Sequence, residues 1–182
     1  CRISCENITV TNCTLMHGHG GVVIGSEMSG GVRNVVISNC IFNGTDRGIR
    51  LKTRRGRGGV VEDIRVGNLV MKGVICPFVM HQYYFCGEGG KDKSVWDKAP
   101  YPVTDATPVF RNIHFNGITV RDAHAAAGFI YGLAEMPVDN VTFENISVEM
   151  ADNARPGVPA MMSGLKPMRK RGFICCNARN IS

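Results

Sequence analysis

At 182 residues, 44% of them hydrophobic, the chain is long enough for one domain with its own core. It carries 22 glycines and a formal charge of +6. Nothing approaches the roughly 18 consecutive apolar residues that a membrane-spanning helix needs, so no membrane partner is expected. The sequence begins at Cys1 without an initiator methionine and ends on Asn180-Ile181-Ser182, which reads as the opening of another strand. Residues 1–182 are therefore expected to form a single domain cut at both ends out of a longer protein, and the missing leader says nothing about export.

Eight cysteines lie at positions 1, 5, 13, 40, 76, 86, 175 and 176. None forms a paired Cys-x-x-Cys set, so no structural metal is expected. Their even count suits disulfides in an exported protein, and buried free thiols suit a chain of this size equally.

Internal repeats are the strongest signal. Glu6-Asn7-Ile8-Thr9-Val10-Thr11-Asn12-Cys13 is echoed by Arg33-Asn34-Val35-Val36-Ile37-Ser38-Asn39-Cys40. Further copies lead at Asp63, Asn112, Asn140 and Asn180, so the lead positions are 7, 34, 63, 112, 140 and 180. Three of the five steps are close to one another and two are longer, which is a constant period interrupted by insertions and signals a solenoid. The units are short, β-branched and alternating, with no helical period, so each turn is a coil of strands and the fold is an all-β parallel β-helix.

A second strand follows each lead position at a fixed offset. Val22-Val23-Ile24, Ile49-Arg50-Leu51 and Phe78-Val79-Met80 begin equally far past positions 7, 34 and 63 and should stack as rungs about 4.8 Å apart. Phe129-Ile130-Tyr131 is placed as the fourth rung, two positions further from its lead, Asn112, than the others are from theirs. Stacking sets Asn12 beneath Asn39, suited to a side-chain ladder at a turn, and Cys13 beneath Cys40, as a disulfide or a thiol stack. The two long steps mark insertions at about 86–110 and 151–172, the kind of loop that walls a binding surface on a solenoid.

Chemistry concentrates between His17 and Arg57. Arg47, Arg50, Lys52, Arg54, Arg55 and Arg57 place six cations in eleven residues. Alternation through Ile49-Arg50-Leu51-Lys52 sends Arg50 and Lys52 to one face and the aliphatic pair to the other. A solvated charged rim is the default for such a run. Nucleic acid is not expected, since no aromatic platform is interleaved with it. Regularly spaced carboxylates of an acidic polysaccharide suit cations projecting from an elongated β-surface.

His19, between Gly18 and Gly20, would by itself be read as structural. Its glycine neighbours leave room for close approach of a ligand. It also lies as far past lead position 7 as Asp46 lies past lead position 34, so the two can be rung neighbours. A carboxylate beside an imidazole fixes its tautomer and favours its charged form. The competing arrangement pairs Asp46 with Arg47 or Arg50. His81 stands to lead position 63 as Lys52 stands to 34, and either extends a substrate surface or is an exposed structural histidine.

Gly18-His19-Gly20-Gly21-Val22-Val23-Ile24-Gly25-Ser26, followed one coil later by Gly48-Ile49-Arg50-Leu51-Lys52-Thr53, resembles glycoside hydrolase family 28, the polygalacturonases. Leu51 replaces an isoleucine of the family's Arg-Ile-Lys motif. Glu27-Met28-Ser29-Gly30-Gly31 and Thr45-Asp46-Arg47-Gly48 look like its bacterial branch, which includes exo-acting enzymes. The resemblance runs over essentially the whole chain. It implies a right-handed parallel β-helix that hydrolyses α-1,4 bonds of polygalacturonate with inversion, without a cofactor, in a secreted or periplasmic protein. It makes His19 the active-site histidine, and Arg50 and Lys52 the pair on the galacturonate carboxylate. Gln82-Tyr83-Tyr84 resembles a Gln-x-Tyr segment of the family, which makes Tyr84 a sugar-contacting residue.

One departure stands out. The family's catalytic carboxylates lie in Asn-Thr-Asp and Asp-Asp motifs N-terminal to Gly-His-Gly, and the short stretch before Gly18 holds a single acid, Glu6. Inverting hydrolysis needs two carboxyl groups roughly 6.5–9.5 Å apart. The chain is therefore expected to grip substrate without cutting it, with the hydrolase activity belonging to the parent protein. A non-catalytic carbohydrate-binding β-helix is the alternative. A calcium-dependent pectate-lyase-like β-helix is a third reading, and no acidic cluster supports it.

Overall fold

The computed structural model describes residues 3–182; Cys1 lies outside them. The strands follow the chain as β1 (Cys5–Thr11), β2 (Thr14–Met16), β3 (Val22–Ile24), β4 (Val32–Asn43), β5 (Arg47–Lys52), β6 (Val60–Lys72) and β7 (Cys76–His81). After the one short helix among the described residues, α1 (Lys93–Trp96), come β8 (Val109–Ala123), β9 (Ala126–Tyr131), β10 (Val138–Met150), β11 (Arg171–Cys176) and β12 (Ala178–Ile181).

Every strand pairing is parallel. One sheet runs β1-β4-β6-β8-β10-β12, with β2 also on β4, and the other runs β3-β5-β7-β9-β11. Each sheet takes its strands in sequence order, so the chain winds through both once per coil. This is a right-handed parallel β-helix, the hand expected of parallel crossovers.

The repeat leads are bends within the long strands. Asn7, Asn34, Asp63, Asn112, Asn140 and Asn180 all hold φ between 52° and 59°. Asn12, Asn39, Asn68 and Asn145 form a second such row, at φ 52° to 57°. Asparagine and aspartate tolerate this left-handed conformation better than other side-chain-bearing residues. A left-handed residue turns the backbone, and its amide meets the equivalent amide on the next coil. Asn34 donates to Asn7 (3.2 Å), Asn68 to Asn39 (2.8 Å) and Asn140 to Asn112 (2.9 Å). The asparagine rows of the sequence are therefore corner ladders.

Between the corners, inward residues stack in register. Val35, Ile64, Ile113 and Val141 occupy one column, and all are at most 3% exposed. Each such side chain contributes about 1.5–3 kcal/mol by leaving water. Ile49, Leu51, Phe78 and Met80 close this core from the second sheet.

The second sheet corrects one expectation. Gly128, not Phe129, lies opposite Phe78, so this rung begins one position earlier than its sequence pattern suggests. A one-residue shift exchanges the two faces of a strand: Ile130 joins the main core, and Phe129 packs outside the sheet with Cys76, Val79 and Met162. The cause is Phe173, opposite Gly128 on the following rung. A Cβ at Gly128 would lie 2.4 Å from its ring. That ring stacks on Phe78 with centroids 6.1 Å apart.

The segment between β7 and β8 runs over 82–108 and that between β10 and β11 over 151–170. Cys13 and Cys40 are free thiols, the first exposed and the second buried.

Candidate functional site

His19 lies on the turn between β2 and β3. Three backbone bonds tie this turn to the next coil: Asp46 N–H to Gly18 O (2.8 Å), and Gly21 N–H to Arg47 O (2.9 Å) and Gly48 O (3.0 Å). Two glycines here have local structural reasons. Gly18 has φ +99°, and a Cβ at Gly21 would lie 2.5 Å from the Phe42 ring. The turn presents the His19 ring to solvent, with 91% of its side chain exposed.

Both arrangements expected for Asp46 occur together. Its Oδ2 lies 2.9 Å from His19 Nδ1 and 3.4 Å from Arg47 Nη1. The carboxylate therefore fixes which face the imidazole offers, leaving Nε2 outward.

Strand β5 divides as its alternation requires: Ile49 and Leu51 enter the core while Arg50 and Lys52 face outward. Facing outward does not leave Arg50 open, since it is only 2% exposed. Its Nη1 donates to the His19 carbonyl (3.4 Å), while Nε and Nη2 are buried without a partner. Tyr84 covers the pair, with Lys52 Nζ 4.1 Å and Arg50 Cζ 5.8 Å from the ring centroid. Burial, then neighbouring Arg47, lowers the Arg50 pKa from its ordinary value. Burial, then Arg50 and Arg57, lowers that of Lys52. Unpartnered guanidinium nitrogens and a crowd of like charges favour an anionic ligand.

Thus the four site residues expected from sequence, His19, Arg50, Lys52 and Tyr84, come together on consecutive coils. His81 does not join them at the surface. It sits opposite Lys52 in β7 but is fully buried, and neither ring nitrogen has a partner. Burial, reinforced by Arg50, Lys52, Arg47 and Lys98, pushes its pKa down to about 3, so it is neutral under ordinary conditions. On the same face of β7, Val79 shares a buried cluster with Ala160 and Met162 of the second insertion, and the Tyr84 ring lies 6.2 Å from that of His81.

Half of the basic run has another task. Arg47 donates through Nε to Pro159 O (2.9 Å) and through Nη2 to Val158 O, holding the second insertion. Arg54 donates to Cys86 O (3.4 Å) and Glu88 O in the first. Arg55 donates to Ser94 O (2.8 Å), Asp97 O (2.8 Å), Ala99 O (3.0 Å) and both oxygens of Glu135 (2.6 and 2.9 Å). Gln82 completes these clamps, donating to Pro108 O (2.7 Å) and accepting from Leu133 N–H (3.0 Å). Sequence reasoning misses all of these clamps. The one available signal is that Arg54 and Arg55 are consecutive and so cannot both project from one strand face.

Among the described residues no group of three or more His, Cys, Asp and Glu side chains is gathered as a metal would need. No helix among them is long and apolar enough to cross a membrane.

The parallel β-helix thus carries an exposed histidine beside a buried arginine, a lysine and a tyrosine. The sequence profile of the glycosyl hydrolases family 28 matches residues 3–156, and the chain belongs to that family. It is 39% identical to an endo-polygalacturonase of Pectobacterium carotovorum subsp. carotovorum over 88 residues, covering 48% of this chain and 21% of that one. It is 28% identical to an exopolygalacturonase of Rhizopus delemar over 173 residues, covering 87% of this chain and 41% of that one. The crystal structure of a hyperthermoactive exopolygalacturonase from Thermotoga maritima superposes with a TM-score of 0.66 at 30% identity, over 81% of this chain and 30% of that one. The chain thus spans less than half the length of these relatives.

Proposed function

We propose that the protein is a polygalacturonase-type glycoside hydrolase, exported from the cell, which cleaves α-1,4-galacturonosyl bonds of polygalacturonate with inversion. In this reading residues 1–182 grip the substrate and the bond-breaking carboxylates lie elsewhere in the parent protein. The observation that carries it is the buried Arg50, with two unpartnered guanidinium nitrogens, beside Lys52 and under Tyr84. A uronate carboxylate supplies the acceptors these donors lack, and Tyr84 offers a ring against which a sugar can pack. His19, oriented by Asp46, stands beside the same anion site and presents Nε2 to the bound sugar.

The division of labour follows from the carboxylates beside these residues. Asp46 is shared between His19 and Arg47. Glu27 accepts from the Ser29 backbone, and its contact with that residue, first through the hydroxyl, lowers its pKa. A general acid must keep its proton until the glycosidic oxygen takes it, and a lowered pKa works against that. Neither residue is set up for the role.

Titration of the 182-residue chain with trigalacturonate, beside a reducing-sugar assay on polygalacturonate, tests both halves. Binding without sugar release is expected. Sugar release would overturn the division of labour, and absence of binding would overturn the grip. A carbohydrate-binding β-helix without catalysis shares this groove, and hydrolysis by the parent protein distinguishes the enzyme from it.

A further inference from the structure

Three cations of the basic run are tied down by carbonyls and carboxylates, and two, Arg50 and Lys52, make the uronate grip. Arg57 belongs to neither set. Its side chain is 18% exposed, and its hydrogen bond runs from Nη1 to Ser26 Oγ at 2.7 Å. Glu27 stands 3.7 Å away but is itself 72% exposed, which makes a loose and screened pair. Ser26 follows β3, and its carbonyl accepts from the Thr53 hydroxyl (3.2 Å), which places Arg57 beside the end of β5 where Lys52 sits.

The turn that carries Arg57 is fixed. Gly56 and Gly58 both donate backbone N–H bonds of 3.0 Å to Ala106 O, and Gly56 takes φ +88°. Its side chain borders a cavity of about 210 Å³, whose other charged lining is Arg54, Arg55 and Asp92. Arg54 and Arg55 already donate to the first insertion, so Arg57 is the guanidinium there with donors to spare. Its positive charge reaches Lys52 and Tyr84, contributing to the lowered pKa of the first.

We infer that Arg57 forms a second carboxylate subsite beside Lys52, so that the groove takes two consecutive uronate units, the second against the 86–110 insertion. The inference rests on the uronate-binding reading above and extends it. Arg50 and Lys52 hold the carboxylate of one unit. Arg57, steadied by Ser26, holds the carboxylate of the next in place of its exposed contact with Glu27. Binding two anions relieves the mutual repulsion of three clustered cations.

The test measures galacturonate, digalacturonate and the dimethyl ester of digalacturonate against the 182-residue chain by calorimetry at low salt. Wild type is expected to bind the dimer about tenfold more tightly than the monomer, the gain of one charge-assisted contact, and to lose that gain with the ester. Arg57→Gln is expected to abolish the dimer's advantage while leaving monomer affinity unchanged, which also reports that the variant is folded. Arg57→Lys is expected to recover part of the advantage. The inference is overturned if Arg57→Gln weakens monomer and dimer alike, or if the dimer never binds more tightly than the monomer. If wild type binds neither sugar, the uronate reading itself fails, and the subsite with it.

Discussion

Arg47, Arg54 and Arg55 differ from Arg50, Lys52 and Arg57 in what faces their charge, although all six come from one eleven-residue run. The first three donate to backbone carbonyls of the two insertions and to Glu135. The second three have few acceptors and crowd one another. A cation whose partners are internal supports the fold, and one that lacks partners is available to a ligand. Charge density in the sequence is the same for both sets. Partner geometry separates them.

Arg55 offers the largest break of this comparison. It and Glu135 are 7% and 5% exposed, a buried ion pair. Burial is the largest influence on Arg55 and opposes its charge, but the bond to Glu135, the Glu135 charge and nearby Tyr83 and Tyr101 together outweigh it and raise the pKa. For Glu135 burial again acts most strongly, raising the pKa, and Arg55 with backbone donors brings it below the ordinary value. Arg55→Met strands a buried carboxylate and three carbonyls, and is expected to cost about 3–5 kcal/mol in urea unfolding. If it costs no more than a surface substitution, the supporting role is wrong.

His81 gives the next effect, through pH. Its folded pKa of about 3 lies below the unfolded value, so the unfolded chain takes up the proton first. Stability is complete above pH ~6.5 and declines as pH falls toward about 3, by roughly 1.4 kcal/mol per pH unit from this group. His81→Gln should flatten the slope of unfolding free energy between pH ~6.5 and ~4.5. An unchanged slope would mean that the imidazole is already charged in the folded protein.

Lys52→Ala sharpens the contrast from the binding side. Removing a cation with no internal acceptor should leave the urea midpoint within the error of wild type, while galacturonate affinity drops about tenfold for one lost charge-assisted contact. Loss of stability instead of affinity would move Lys52 into the supporting set.

What could be read from sequence divides along the same line. The coil period, the corner asparagines and the facing of Arg50 and Lys52 are repeating or local patterns, legible without knowing what packs on the coils. The structure adds that corner asparagines and aspartate hold φ between 52° and 59°, which explains why these residue types recur at the leads. The clamps on Arg47, Arg54 and Arg55 join residues 32 to 112 positions apart, across insertions that share no period with the coils. Nothing local announces them. His81 shows both sides: its offset correctly places it beside Lys52, but its complete burial is a tertiary outcome that no repeat predicts. The rung at Gly128 falls one position from its expected place for a related reason, since Phe173 sets it from the following coil.

The smallest expected effect is also the finest probe of the open set. Glu27 is the carboxylate that approaches Arg57, and its exposure keeps the pair weak. Glu27→Gln should leave stability unchanged and release Arg57 to a ligand, tightening digalacturonate about twofold while galacturonate, held at Arg50 and Lys52, binds as before. The tightening should fade as salt is raised, because screening already weakens the exposed pair in wild type. If Glu27→Gln instead weakens the dimer, the carboxylate is helping to hold the sugar, through its hydroxyls, and Arg57 acts as its anchor rather than as an anion receptor.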